Sequence, residues 1–149
     1  MKRVIIKFQN AFNLSQRQTG PLEIEILTEN KKKAVVWIID GQQWPRAYIR
    51  AELMERGFDV IGFATPKHAV AAYKHQLYAK PQIIILELFG LDADEDDISS
   101  LGRIGVPIIV LGGAVELNRE IVKNSEWAAT IQRPFTIGKV SDIVEKLVE

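Results

Sequence analysis

The chain has 149 residues, 19 basic and 19 acidic side chains, a formal net charge of zero, 47% hydrophobic residues and no cysteine. That length suffices for one domain with a real core, the balanced charge gives no general pull toward nucleic acid or membrane, and the missing thiols exclude a disulfide framework, a cysteine nucleophile and a thiolate metal site. No apolar run approaches the roughly 18 residues of a membrane span, and Met1-Lys2-Arg3 leads into too few apolar residues for a signal peptide, so the expected address is the cytoplasm.

Residues 1–33 read as an amino-terminal β extension with a basic hinge. Residues 4–8 are a short strand candidate, residues 9–20 are polar and turn-like, and Leu22, Ile24 and Ile26 alternate with Glu23 and Glu25. Two strands alone are marginal in water, so the dry face is expected to dock on the main domain or on a second copy of the chain. Lys31, Lys32 and Lys33 supply the hinge, more simply a solvated linker than a phosphate site.

From Ala34 onward strand and helix patterns alternate. Residues 34–39 are apolar and end at Asp40-Gly41. Pro45 suits a first helical turn, with Tyr48, Ile49, Leu53 and Met54 as an apolar stripe up to Gly57. Residues 58–64 make a second strand, and Thr65-Pro66 is a cap with proline at the first helical position. The following helix carries Val70, Ala71, Tyr73, Leu77 and Tyr78 and is expected to end before Pro81. Residues 82–90 hold four consecutive aliphatics, which suits a strand buried on both faces, and deliver Glu87 at its carboxyl end. Asp94, Glu95, Asp96 and Asp97 open a short helix with Ile98, Leu101 and Ile104. They complement its dipole more simply than they would bind a metal. Residues 106–111 form a fourth strand ending at Gly112-Gly113, residues 117–122 a short helix, 128–132 a fifth strand, and Val140, Ile143, Val144 and Leu147 one face of a last helix. The alternation predicts an α/β fold, a doubly wound five-stranded parallel sheet over residues 34–149.

Certain landmarks recur in order: Asp40 with Arg46 six residues on, Gly57-Phe58-Asp59-Val60 closing a helix, Pro81 before an aliphatic run ending at Glu87, Val106-Pro107-Ile108-Ile109-Val110-Leu111, and Arg133-Pro134-Phe135 before the last helix. On these landmarks residues 34–149 resemble the receiver domain of two-component response regulators, the CheY-like form of the flavodoxin fold. The resemblance implies an acidic pair after the first strand of this region and an aspartate ending its third, which together hold Mg²⁺ for phosphorylation of that aspartate. It also implies a hydroxyl residue ending the fourth strand and a lysine before proline in the fifth, which bind the phosphoryl oxygens. Asp40 matches the first acid, Gly41 stands at the second, Glu87 at the phospho-acceptor, Gly112 at the hydroxyl and Arg133 at the lysine. Thr130 falls at the switch aromatic and Leu91 at a proline. An extra methylene at Glu87 misplaces the carboxylate for in-line attack, and an arginine fork is not equivalent to a lysine.

The pocket formed by Asp40, Gly41, Glu87, Gly112 and Arg133 is therefore expected to be a degenerate phospho-acceptor site without catalytic residues, cofactor or resident metal. Weak Mg²⁺ binding is expected only if phosphorylation chemistry survives. Glu87 either pairs with Arg133 as a permanent surrogate for a charged acceptor or is an acid tolerated at a wet strand end; Asp40 is a further candidate partner for Arg133. His68 and His75, seven apart, cannot share a metal as an i, i+4 pair can, and Gly112-Gly113 lacks the lysine and hydroxyl residue of a phosphate loop. Trp37 reads as core, whereas Trp44 is open between a partner anchor and loop packing.

The expected function is a non-enzymatic, phosphorylation-independent signalling module that binds another protein or itself. By resemblance the partner surface spans residues 115–123, 128–133 and 137–148, and the amino-terminal strands offer a second route to a homodimer. The rivals are residual Mg²⁺-dependent phosphorylation and a nucleotide- or flavin-binding crevice.

Overall fold

The computed structural model describes the backbone of residues 2–8, 24–30 and 33–149 and the side chains of residues 33–149. The chain divides into two compact units, Met1–Lys33 and Ala34–Glu149. In the first, β1 (Lys2–Phe8) pairs antiparallel with β2 (Ile24–Asn30), Lys2 opposite Asn30 and Phe8 opposite Ile24. The turn-like stretch, Leu22 with Glu23, and Lys31 with Lys32 lie outside the described residues.

The second unit runs β3 (Val35–Ile39), α1 (Gln43–Glu55), β4 (Asp59–Phe63), α2 (Pro66–Lys74), β5 (Ile83–Glu87), α3 (Glu95–Gly102), β6 (Ile108–Gly112), α4 (Ala114–Leu117), α5 (Glu120–Lys123), β7 (Ala129–Gln132) and α6 (Ile137–Val148). Its five strands are all parallel in the order β4-β3-β5-β6-β7, the doubly wound α/β sheet that the alternation predicts. Residue position in the sheet explains composition. The three inner strands, β3, β5 and β6, are buried at every position, as their unbroken aliphatic runs require, whereas the edge strands β4 and β7 are only partly buried.

Alternate side chains of the inner strands feed two cores. Trp37, Ile39, Ile84, Leu86 and Val110 meet Ala69 and Ala72 of α2 and Ile98 and Leu101 of α3. On the other face Val36, Ile38, Ile83, Ile85, Ile109 and Leu111 meet Ile49 and Leu53 of α1 and Val140 and Val144 of α6. Each fully buried aliphatic side chain contributes about 1.5–3 kcal/mol relative to exposure. Arg56 ties α1 to α6, donating to Glu52 at 3.0 Å and Asp142 at 2.7 Å. The Thr65 hydroxyl accepts from the His68 N–H at 3.2 Å, and Asp94 and Asp97 form a reciprocal capping box at the start of α3.

Three helical expectations need correction. Tyr48 and Met54 are 58% and 51% exposed, so only Ile49 and Leu53 of the α1 stripe face the core. Helix α2 stops at Lys74, turned by Gln76 at φ 53°, and buries Ala69 and Ala72; Leu77 and Tyr78, beyond its end, are exposed. Small alanines let the helix lie close on the sheet, which a reading weighted toward large apolar residues overlooks. The helix over 117–122 is two short turns, α4 and α5, separated at Asn118-Arg119. No helix among the described residues is long and apolar enough to cross a membrane.

Candidate functional site

Strand order reverses at β3, so the carboxyl ends of β3 and β5 flank the switch point where open α/β sheets place their sites. Ile39 is opposite Leu86, which makes the next residues, Asp40 and Glu87, neighbours across that strand pair. Both are buried.

Glu87 closes β5 with 2% exposure. Its Oε1 accepts from the Phe89 N–H at 2.9 Å and from Arg133 Nη1 at 2.9 Å, while Oε2 accepts from Arg133 Nη2 at 2.6 Å. This is a parallel two-pronged pair, charge-assisted at both contacts. Arg133 is placed from the far edge of the sheet, where its N–H donates to the Gly112 carbonyl at 2.9 Å just after β7. The guanidinium also lies 5.3 Å from the Phe89 ring centre and 5.1 Å from that of Phe135, within cation–π range of each. Its pKa is raised above the usual arginine value, first by hydrogen bonding to Glu87 and further by the charges of Glu87, Asp40 and Glu116. The cation is fixed by hydrogen bonds in its plane and by ring contacts.

Asp40 is fully buried, with Oδ1 accepting from the Gln42 N–H at 2.8 Å and Oδ2 without a partner. Burial pushes its pKa above the usual 3.8, and the Glu87 charge adds to the rise. The Gln42 N–H and the charges of Arg46 and Arg133 oppose it. The expectation that Asp40 also binds Arg133 is not met. Among the described residues both side-chain hydrogen bonds of Arg133 go to Glu87, and Arg46 Nη1 donates to the Asp40 backbone carbonyl at 2.6 Å rather than to the carboxylate.

The two glycine positions are shaped by their neighbours. A Cβ on Gly41 would lie 2.5 Å from the Gly90 carbonyl oxygen, a backbone atom in a loop that turns through Gly90 at φ 67°. A second acid after β3 therefore has no room unless the β5–α3 loop moves. A Cβ on Gly112 would lie 3.1 Å from the Glu116 Cβ, so the first turn of α4 occupies the space a side chain there would need.

The remaining sequence candidates scatter. Thr130 is exposed on β7, while Leu91 packs at the core margin. His68 and His75 are exposed near opposite ends of α2. Among the described residues, no group of three or more His, Cys, Asp or Glu could hold a metal ion. Trp37 is core, donating Nε1–H to the Ala79 carbonyl at 3.2 Å; Trp44 is 66% exposed and stacks on Tyr48. The aromatic contacts from Phe89 and Phe135 are absent from a motif-based reading. A local signal exists for Phe135 alone, which stands two residues beyond Arg133; the Phe89 ring reaches Arg133 from 44 positions away and leaves no mark in the spacing.

No protein-family model and no curated protein matches the sequence. Among solved structures, the amino-terminal domain of a response regulator/sensory box/GGDEF 3-domain protein from Carboxydothermus hydrogenoformans is 19% identical. It superposes with a TM-score of 0.65 over 76% of this chain and 93% of that one. A response regulator receiver domain protein from Clostridium thermocellum is 15% identical, with a TM-score of 0.65 over 77% and 94%. The chemotaxis response regulator CheY4 of Vibrio cholerae is 18% identical, with a TM-score of 0.61 over 77% and 98%. With the parallel sheet and its strand order, these likenesses establish that the second unit of this chain has the receiver fold of response regulators.

Proposed function

We propose that the receiver-fold unit is a signalling module that operates without aspartyl phosphotransfer and acts by binding a protein partner. The observation that carries this reading is the two-pronged Arg133–Glu87 bond, which with the Phe89 N–H engages both oxygens at the position where the fold's relatives take a phosphoryl group. The carboxylate already has the charge-assisted contact that a lysine gives a phosphorylated acceptor in that family, so the pocket rests in one state.

The donor set does not fit Mg²⁺. That ion needs near-octahedral oxygen coordination, whereas Asp40 offers one unpartnered oxygen, Gly41 offers no side-chain donor, and both Glu87 oxygens are engaged by donors with a guanidinium beside them. Without the ion, the pocket's cation, Arg133, is already committed to Glu87, so an incoming phosphoryl donor meets the charge of two acids with no free cation held for it among the described pocket residues.

The fold's relatives suggest residues 115–123, 128–133 and 137–148, carried by α4, α5, β7 and α6, as the partner surface. The exposed side chains of Val115, Thr130, Ile137 and Leu147 support it. The amino-terminal strands are the other route, through pairing with a second copy. Incubation of the purified chain with acetyl phosphate and Mg²⁺, followed by intact-mass measurement, tests the reading. The expected spectrum holds only unmodified protein. A phosphoryl adduct that disappears in Glu87→Gln or Asp40→Asn would overturn the proposal.

A further inference from the structure

The edge strand β4 forms, with α1, a groove that neither the pocket nor the relatives' partner surface accounts for. Among the described residues strand β4 pairs on one side only, with β3. The Asp59 N–H donates to the Ala34 carbonyl and the Phe63 carbonyl accepts from the Asp40 N–H, each at 3.0 Å. Residues 59, 61 and 63 thus turn their backbone groups toward β3, and the alternation of a strand turns those of Val60 and Gly62 outward. The Val60 carbonyl is taken by Arg50 Nε at 3.3 Å. The described residues supply no partner for the Val60 N–H or for the N–H and carbonyl of Gly62.

These free groups lie in a groove of about 440 Å³ whose walls include Arg46, Ala47, Arg50 and Tyr78. No acidic side chain among the described residues lines it. Gly62 has no side chain, and the Arg46 stem occupies the space on the α1 face where one would project, 3.0 Å from an added Cβ, which brings the guanidinium beside the edge strand. Three unpaired strand groups beside two arginines, the only charged residues among the described lining, match an extended peptide that hydrogen-bonds along the edge and carries carboxylates on the side facing α1.

We infer that the α1–β4 groove is a docking site for an extended acidic segment of a partner protein, which adds to the sheet as a sixth strand beside β4. The Val60 N–H, the Gly62 N–H and the Gly62 carbonyl bond the peptide main chain. Arg46 and Arg50 select carboxylate side chains, and Tyr78 closes the outer wall. This inference concerns a surface other than the Glu87 pocket, and neither reading depends on the other.

The test uses the full chain and a fluorescein-labelled peptide of about eight residues alternating glutamate and valine, long enough to span a strand. Fluorescence anisotropy should show saturable binding that weakens about tenfold or more when lysine replaces glutamate, or in Arg50→Glu, since like charges then face each other. N-methylation of alternate peptide residues along the docking edge should abolish binding, and amide exchange at Val60 and Gly62 should slow in the complex. Circular dichroism checks that Arg50→Glu is folded, and the peptide-side changes need no variant at all. Absence of saturable binding, equal binding of the lysine peptide, or binding that survives both patterns of alternate N-methylation would overturn the inference.

Discussion

Replacing Arg133 by alanine removes both guanidinium bonds and leaves Glu87, 2% exposed, with only the Phe89 N–H as its donor. Breaking a fully buried ion pair from one side costs about 3–5 kcal/mol. Arg133 is 37% exposed, so solvent screens part of the interaction and water enters the vacated space, which brings the expected loss to about 2–3 kcal/mol. Loss of the ring contacts from Phe89 and Phe135 is included in that figure, at about 0.5 kcal/mol each. Urea unfolding followed by tryptophan fluorescence measures the loss directly, and melting should fall by about 10 °C for a unit of this size. The double variant Arg133→Ala with Glu87→Gln should recover about 1 kcal/mol or more of the loss, because the buried charge is gone. A single-variant loss below about 0.5 kcal/mol, the value of an ordinary surface pair, would refute the reasoning. So would a double variant no more stable than the single one.

Gly41→Asp places a Cβ 2.5 Å from the Gly90 carbonyl oxygen and should cost about 1–3 kcal/mol as an overpacked contact; melting curves with and without Mg²⁺ should show that loss and no Mg²⁺ stabilisation. Gly112→Ser meets the Glu116 Cβ at 3.1 Å and should be destabilised by a smaller amount, about 1 kcal/mol, read by urea denaturation. The pKa of Asp40 is raised in the folded state above 3.8, so the folded chain holds this proton more tightly than the unfolded one. The resulting stabilisation is fully present below 3.8 and is lost as pH rises through the folded value. Asp40→Asn keeps the acceptor for Gln42 and should gain on wild type as pH rises through that window, which stability measured at a series of pH values will show. Trp37→Ala should cost about 3–5 kcal/mol and Trp44→Ala less than about 0.5 kcal/mol, because one indole is enclosed and the other is 66% exposed.

Apolar runs at 35–39, 83–86 and 108–111 are legible as buried parallel strands because no polar residue interrupts them, and the ordered landmarks carried the fold. Helix phase was less legible. The core contacts of α2 come from Ala69 and Ala72, whose small size conceals their burial, while Tyr48 and Leu77 have core-like side chains that the fold leaves exposed. Placing Glu87 near Arg133 followed from the fold, but the two bonds and the flanking rings depend on side-chain direction, which spacing does not encode. The Gly41 contact with Gly90 was hidden for a related reason, since it joins two loops 49 positions apart in sequence.

The central claim is that Arg133 holds Glu87 so completely that neither metal nor phosphoryl group enters. Beryllofluoride titrated with Mg²⁺ into ¹⁵N-labelled protein tests it most directly, with the amide signals of Asp40, Glu87, Phe89 and Arg133 as reporters. The account predicts that these signals stay in place at saturating reagent. Saturable, Mg²⁺-dependent shifts at all four, abolished in Asp40→Asn, would contradict it.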